Sequence, residues 1–99
     1  MQESVKPASI LVVDDSPDNR LLIQAYLKDT PYRLTCEEDG KAAVDRVATS
    51  DFDLILMDTQ MPVMDGATAT RAIRALERKR GSPPIPIIAL TAHSGLYDR

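Results

Sequence analysis

Tryptophan is absent from the 99 residues, and phenylalanine and cysteine each occur once. With so few aromatic rings, the core has to be built from aliphatic side chains. The single cysteine, Cys36, excludes an intramolecular disulfide, and a chain that manages without one suits a reducing compartment; a cytoplasmic location is expected. Cys36 sits in an alternating apolar stretch and reads as a small core residue rather than a nucleophile. No apolar run comes near the ~20 residues that a membrane-crossing helix needs. The opening MQESVKPAS is polar where a secretory leader would be apolar, so no membrane role is expected of this domain. No glycine-rich run ends in Gly-Lys-Ser/Thr, so there is no sign of a phosphate-binding loop of the nucleotide-hydrolase type. Positive charge is not in excess either. Twelve basic residues face 15 acidic ones, a net −3, which gives no support to general nucleic-acid binding. The one basic cluster, Arg78-Lys79-Arg80, closes a helical pattern, where cations complement the helix dipole.

What is present is ordinary for a globular protein: 43% apolar and 27% charged residues, in a length that fits one domain. Residues 1–8 are polar and read as a loose leader, with a single folded unit over 9–99. Ile10-Leu11-Val12-Val13 is a short continuous apolar run of the kind that forms a strand buried on both faces. Ser16 then reads as a helix cap with Pro17 in the first helical position. The helix is expected to reach about Asp29, with Leu22, Ile23, Tyr26 and Leu27 on its apolar face and Thr30-Pro31 ending it. Tyr32, Leu34 and Cys36 alternate with polar residues and suggest a second strand. Asp39-Gly40 marks a turn, and Ala42, Ala43, Val44 and Val47 a second helix. Asp53 to Met57 forms another apolar run, ending in Asp58. After a loop from Thr59 to Gly66, a third helix is expected with Ala69, Ile73 and Leu76 inward, fading near Arg80-Gly81. Ser82-Pro83-Pro84 is a linker, and Ile87 to Leu90 a fourth run that ends in Thr91-Ala92.

The order βαβαβαβ predicts an α/β fold, a doubly wound parallel sheet with helices on both faces. In a parallel sheet all strand C-termini share one edge, where ligands of open α/β sheets bind. Three of the four runs end in groups able to do chemistry: Asp14 and Asp15, Asp58, and Thr91. Clustered carboxylates repel one another unless a cation offsets their charge. All-oxygen ligands suit a hard ion such as Mg²⁺. A carboxylate beside such an ion can act as a nucleophile toward phosphorus, forming an aspartyl-phosphate. Taken singly, Asp14-Asp15 read better as solvated strand ends, and Asp58 more so still; it is the constellation that points to chemistry.

The segments ILVVDD (10–15), LILMDTQMPVMDG (54–66) and PIIALTA (86–92) resemble the three motif blocks of response regulator receiver domains of two-component signalling. NRLLIQAYL (19–27) and DTQMPVMDG (58–66) are most similar to receivers attached to hybrid sensor histidine kinases. The resemblance implies a flavodoxin-like strand order beginning 2-1-3-4. It implies Asp58 as the phosphoacceptor, with Mg²⁺ bound by Asp14, Asp15, Asp58 and the main-chain carbonyl of Gln60. Thr91 would hydrogen-bond a phosphoryl oxygen, and Ala92 would leave room for it. Gln60 and His93 would flank the acyl phosphate and tune its lifetime, although His93 on its own reads equally as a solvated loop residue. Met57, Met61 and Met64 read as local packing, and Asp65-Gly66 as a turn and helix cap.

The family's pattern continues into a fifth strand, a lysine at its end, an aromatic switch residue and a fifth helix, none of which can be assigned here. The chain is therefore expected to be a receiver domain truncated near the start of the fourth helix. Its last strand would then be an apolar edge, which favours a dimer or a swapped oligomer. The function implied is that of a signalling phosphoacceptor rather than an enzyme in the usual sense. It would take a phosphoryl group from a histidine of a partner kinase or histidine phosphotransfer protein. The alternative is an interaction module of the same fold that is not phosphorylated. A hydrolase working through an aspartyl-phosphate is disfavoured by Ser16, which stands where such enzymes carry a second acid.

Overall fold

The computed structural model describes residues 7–59, 61 and 64–90. Seven elements alternate along the chain: β1 (Ser9–Val13), α1 (Pro17–Leu27), β2 (Arg33–Glu37), α2 (Gly40–Thr49), β3 (Leu54–Asp58), α3 (Gly66–Arg80) and β4 (Ile87–Leu90). They form one parallel sheet, as the alternation of apolar runs and amphipathic segments predicts, in the order β2-β1-β3-β4 that the resemblance implies. From β1 the chain winds to β2 on one side, then crosses to β3 on the other. Right-handed crossovers in opposite directions put α1 on one face of the sheet and α2 and α3 on the other.

Each helix starts on a side-chain cap. Ser16 Oγ accepts from the Asn19 amide at 3.2 Å, Asp39 Oδ1 from the Ala42 amide at 2.8 Å, and Asp65 Oδ1 from the Thr68 amide at 2.8 Å. Caps of this type contribute about 1 kcal/mol each. α3 stops at Gly81, whose φ of 70° lies in the left-handed region that glycine adopts without strain. Its last turn carries Arg78, Lys79 and Arg80, and the Arg80 guanidinium also donates to the Val47 carbonyl of α2.

Two boundaries differ from expectation. α1 ends at Leu27 rather than Asp29, because the amide and hydroxyl of Thr30 both donate to the Leu27 carbonyl and close the last turn early. β2 begins at Arg33 rather than Tyr32 and runs through Glu37, because the Arg33 amide is the first to pair, with the Ala8 carbonyl.

The core lies on the α2/α3 face. Leu11, Val13, Ile55 and Met57 from the strands meet Ala43 and Val47 of α2 and Ala69 and Ile73 of α3, all at 0–1% exposure. On the other face Ile10 and Val12 are also buried. The apolar face foreseen for α1 is not: no α1 residue is buried, and Leu22 and Tyr26 are 54% and 76% exposed. No helix among the described residues is long and apolar enough to cross a membrane.

Candidate functional site

The site is assembled at the C-terminal edge of the sheet from two neighbouring strands. β1 and β3 pair in register, Val13 opposite Met57, so the residues that follow Val13 reach the same level as Asp58. The Asp14 amide still belongs to the sheet and donates to the Glu37 carbonyl at 3.1 Å. Asp58 is the last residue of β3, opposite Leu90 of β4. Asp14 and Asp58 are buried, at 3% and 6% exposure, whereas Asp15 is exposed. One carboxylate oxygen from each of the three acids lies within 4.8 Å of the others. Residues 44 apart in the chain are thus brought to one point by strand order.

Local structure restrains Asp14 and the turn after Asp58. The Ser16 amide donates to Asp14 Oδ1 at 2.9 Å, and Asn19 Nδ2 to Asp14 Oδ2 at 3.2 Å. Arg20 Nη1 donates to the Asp14 carbonyl at 2.6 Å. The turn after β3 is tied to β4, with the Thr59 amide donating to the Leu90 carbonyl at 3.1 Å. α3 begins directly against this turn. A Cβ on Gly66 would collide with the Asp58 carbonyl oxygen and stand 3.0 Å from Thr59 Cα. Gly40 at the start of α2 plays a related part: its missing Cβ would sit 2.5 Å from the Met64 carbonyl oxygen. Between these two contacts Met61 is buried in the core cluster, with Met64 packed against it. Thr59, Met61 and Met64 are therefore met from α3, from the core and from α2.

Of the residues the sequence singled out, Asp14, Asp15 and Asp58 come together. Gln60, Thr91, Ala92 and His93 lie outside the described residues. Asn19 and Arg20 went unrecognised as neighbours of the acids. The available signal was their position on the first turns of a helix whose cap directly follows Asp14-Asp15.

A second polar feature lies at the opposite edge of the sheet, where a cleft of about 400 Å³ is lined by Ser50, Phe52, Glu77, Arg80, Pro84 and Ile85, among others. Glu77 is 4% exposed. Its carboxylate is satisfied by Arg74 Nη1 at 2.8 Å and the Ile85 amide at 2.7 Å, so it fastens the segment leading into β4 onto α3.

The response regulator receiver domain model matches residues 10–99. The chain belongs to the receiver-domain family. Among curated relatives, the sensor protein GacS of Pseudomonas syringae pv. syringae is 50% identical over 91 residues, which cover 92% of this chain and 10% of that protein. The receiver domain of a sensor histidine kinase from Pseudomonas aeruginosa PAO1, solved with magnesium coordinated in its active site cleft, is 45% identical. It superposes with a TM-score of 0.79, covering 94% of this chain and 74% of that one. A chain of the Saccharomyces cerevisiae co-crystal of a histidine phosphotransfer signalling protein with the receiver domain of its downstream response regulator is 27% identical. Its TM-score is 0.83, covering 98% of this chain and 72% of that one. The chain thus spans about a tenth of the curated relative and about three-quarters of the solved chains. The likeness to receivers of hybrid sensor kinases, first drawn from residues 19–27 and 58–66, agrees with these matches.

Proposed function

We propose that this receiver domain is the phosphoacceptor of a two-component phosphorelay, with Asp58 as the acceptor. The observation that carries the reading is the meeting of Asp14, Asp15 and Asp58 within 4.8 Å at the edge where β1 and β3 end. Two of the three acids are nine-tenths or more buried, and buried like charges at this spacing are costly without a counter-cation. Three carboxylates are hard oxygen donors, the chemistry that Mg²⁺ takes. The residues therefore fit the ion that the Pseudomonas aeruginosa receiver holds. Asp14, Asp15, Asp58 and the Gln60 carbonyl would hold it here. When bound it offsets negative charge on the incoming phosphoryl oxygens.

The chain's own residues do the rest. An Asp58 carboxylate oxygen attacks phosphorus of a phosphohistidine on a partner kinase or phosphotransfer protein. The O–P bond forms as the N–P bond breaks, and the imidazole leaves and takes up a proton. The β3–β4 pairing and the close approach of Gly66 keep the Asp58 backbone in place during attack. Thr91 would hydrogen-bond the new phosphoryl group beside the small Ala92, and Gln60 and His93 would set how long it survives. The co-crystal of a receiver with a histidine phosphotransfer protein supports a partner of that class, and the free thiol of Cys36 fits a cytoplasmic setting. Self-phosphorylation from a small donor and slow self-dephosphorylation would be the chain's only turnover.

Incubation of the protein with acetyl phosphate and Mg²⁺, read by intact mass, tests the proposal. A gain of one phosphoryl group in wild type, absent in Asp58→Asn and abolished by EDTA, is expected. No gain in wild type would favour instead an interaction module that keeps the fold without the chemistry.

A further inference from the structure

The chain holds Asp14 through all four of its polar atoms. Its amide is committed to Glu37 in the sheet. Its remaining three polar atoms each receive a hydrogen bond from the segment 16–20: Oδ1 from the Ser16 amide, Oδ2 from Asn19 Nδ2, and the carbonyl from Arg20 Nη1. A carboxylate oxygen has two lone-pair directions, so each of these oxygens keeps one for another partner. Asp14 is also the most deeply buried of the three acids.

Two buried carboxylates and a third nearby repel, and the cheapest relief is for one side chain to rotate away. Asp14 cannot do so without breaking two hydrogen bonds. The Arg20 guanidinium adds a backbone restraint, because it grips the residue's carbonyl rather than its carboxylate. It also brings a positive charge to the foot of the cluster. Both side chains come from the first turn of α1, whose direction is set by the Ser16 cap and Pro17. The device is therefore built into the entry of the helix.

We infer that Asn19 and Arg20 are positioning residues for the metal site, acting through Asp14 and holding its carboxylate toward Asp15 and Asp58 before any ion arrives. Hydrogen-bond partners of ligating carboxylates orient the ligands, and their loss weakens metal binding on the order of 10-fold or more. The inference rests on the reading of the three acids as Mg²⁺ ligands. It adds that affinity depends on two residues that do not touch the ion.

Calorimetric titration of the metal-free protein with Mg²⁺ tests it, in wild type, Asn19→Ala, Arg20→Met and Gln24→Ala. Gln24 is the control: it lies on the same helix and donates to Cys36 Sγ at 3.1 Å, away from the acids. Asn19→Ala is expected to weaken binding on the order of 10-fold, Arg20→Met to weaken it by a smaller factor, and Gln24→Ala to leave it unchanged. The side-chain carboxyl ¹³C resonance of Asp14, recorded without metal, should move in Asn19→Ala and stay in place in Gln24→Ala, a response that general loss of stability would not produce. If Asn19→Ala does not fold, Asn19→Ser and Arg20→Met carry the same two readouts. Wild-type binding with unchanged affinity in the Asn19 and Arg20 variants overturns the inference alone. A wild type that takes up no Mg²⁺ overturns the metal reading, and the inference falls with it.

Discussion

The two faces of the sheet are built to different degrees of closure. On the α2/α3 face, Leu11, Val13, Ile55, Met57, Ala43, Val47, Ala69 and Ile73 exclude water almost completely. On the α1 face, Ile10 and Val12 are covered, but Leu21, Leu22 and Tyr26 of the helix and Ile88 of β4 are more than half exposed. The difference shows where the energy that shapes the site comes from. Asp58 is the end of a strand sealed into the closed face, and the segment after it is pressed from the same side by Gly40 and Gly66. Asp14 likewise stands at the end of a strand sealed into that face, and it is also reached from the open side, where Asn19 and Arg20 donate hydrogen bonds to it.

Substitutions of matched size on the two faces break this comparison most directly. Ile73→Ala should lower the unfolding free energy by about 2–5 kcal/mol, since it empties a site with no room to relax. Leu22→Ala on the open helix face should change it by only about 0.5 kcal/mol or less. Urea denaturation of both variants measures the contrast, and equal losses would show that the open face is covered in solution. Next in size is Gly66→Ala, where the new methyl meets the Asp58 carbonyl, a backbone atom. Overpacking of this kind costs about 1–3 kcal/mol. Because it displaces Asp58 itself, phosphorylation by acetyl phosphate should fall more than stability does. Glu77→Gln keeps the shape but loses the charge on the hydrogen bonds from Arg74 and Ile85. A loss of about 1 kcal/mol is expected, with Asp58 chemistry unchanged because the substitution lies at the far edge of the sheet.

The smallest effect is a pH dependence at the α3 cap. The amide of Thr68, then its hydroxyl, hold the Asp65 carboxyl below its usual value of 3.8, with a further contribution from the Arg71 charge. A carboxyl lowered by folding contributes stability above its unfolded value, and that stability is lost as pH falls through the lowered folded value. Asp65→Asn keeps the cap at neutral pH, so its unfolding curve should lie close to wild type there. The two curves should draw still closer below pH 3.8, as wild type alone loses the carboxylate's contribution. A gap that widens toward acid would refute this reading of the cap.

Much of the fold was legible because its signals are local. Four apolar runs, the helix caps at Ser16 and Asp65, and the stop at Gly81 are each read within a few residues. Their order alone specifies a parallel sheet with crossover helices. The early end of α1 was not legible, because it depends on the Thr30 hydroxyl competing for a helix carbonyl. The burial of Glu77 was hidden too. Its place on α3 is polar by composition, and only the return of the chain at Ile85 supplies the amide that makes burial tolerable.

The same division holds at the site. Asp14, Asp15 and Asp58 could be named from sequence because each ends an apolar run, and a strand end faces the open edge whatever its neighbours are. That β1 and β3 lie side by side, bringing these acids within 4.8 Å, was decided by the winding of the whole chain. So were the reach of Asn19 and Arg20 back onto Asp14, and the two glycine contacts that hold the segment beyond Asp58. Periodicity reports which side of an element is apolar. Which residue stands opposite which is a property of strand order and helix entry, and it exists only once the chain has closed on itself.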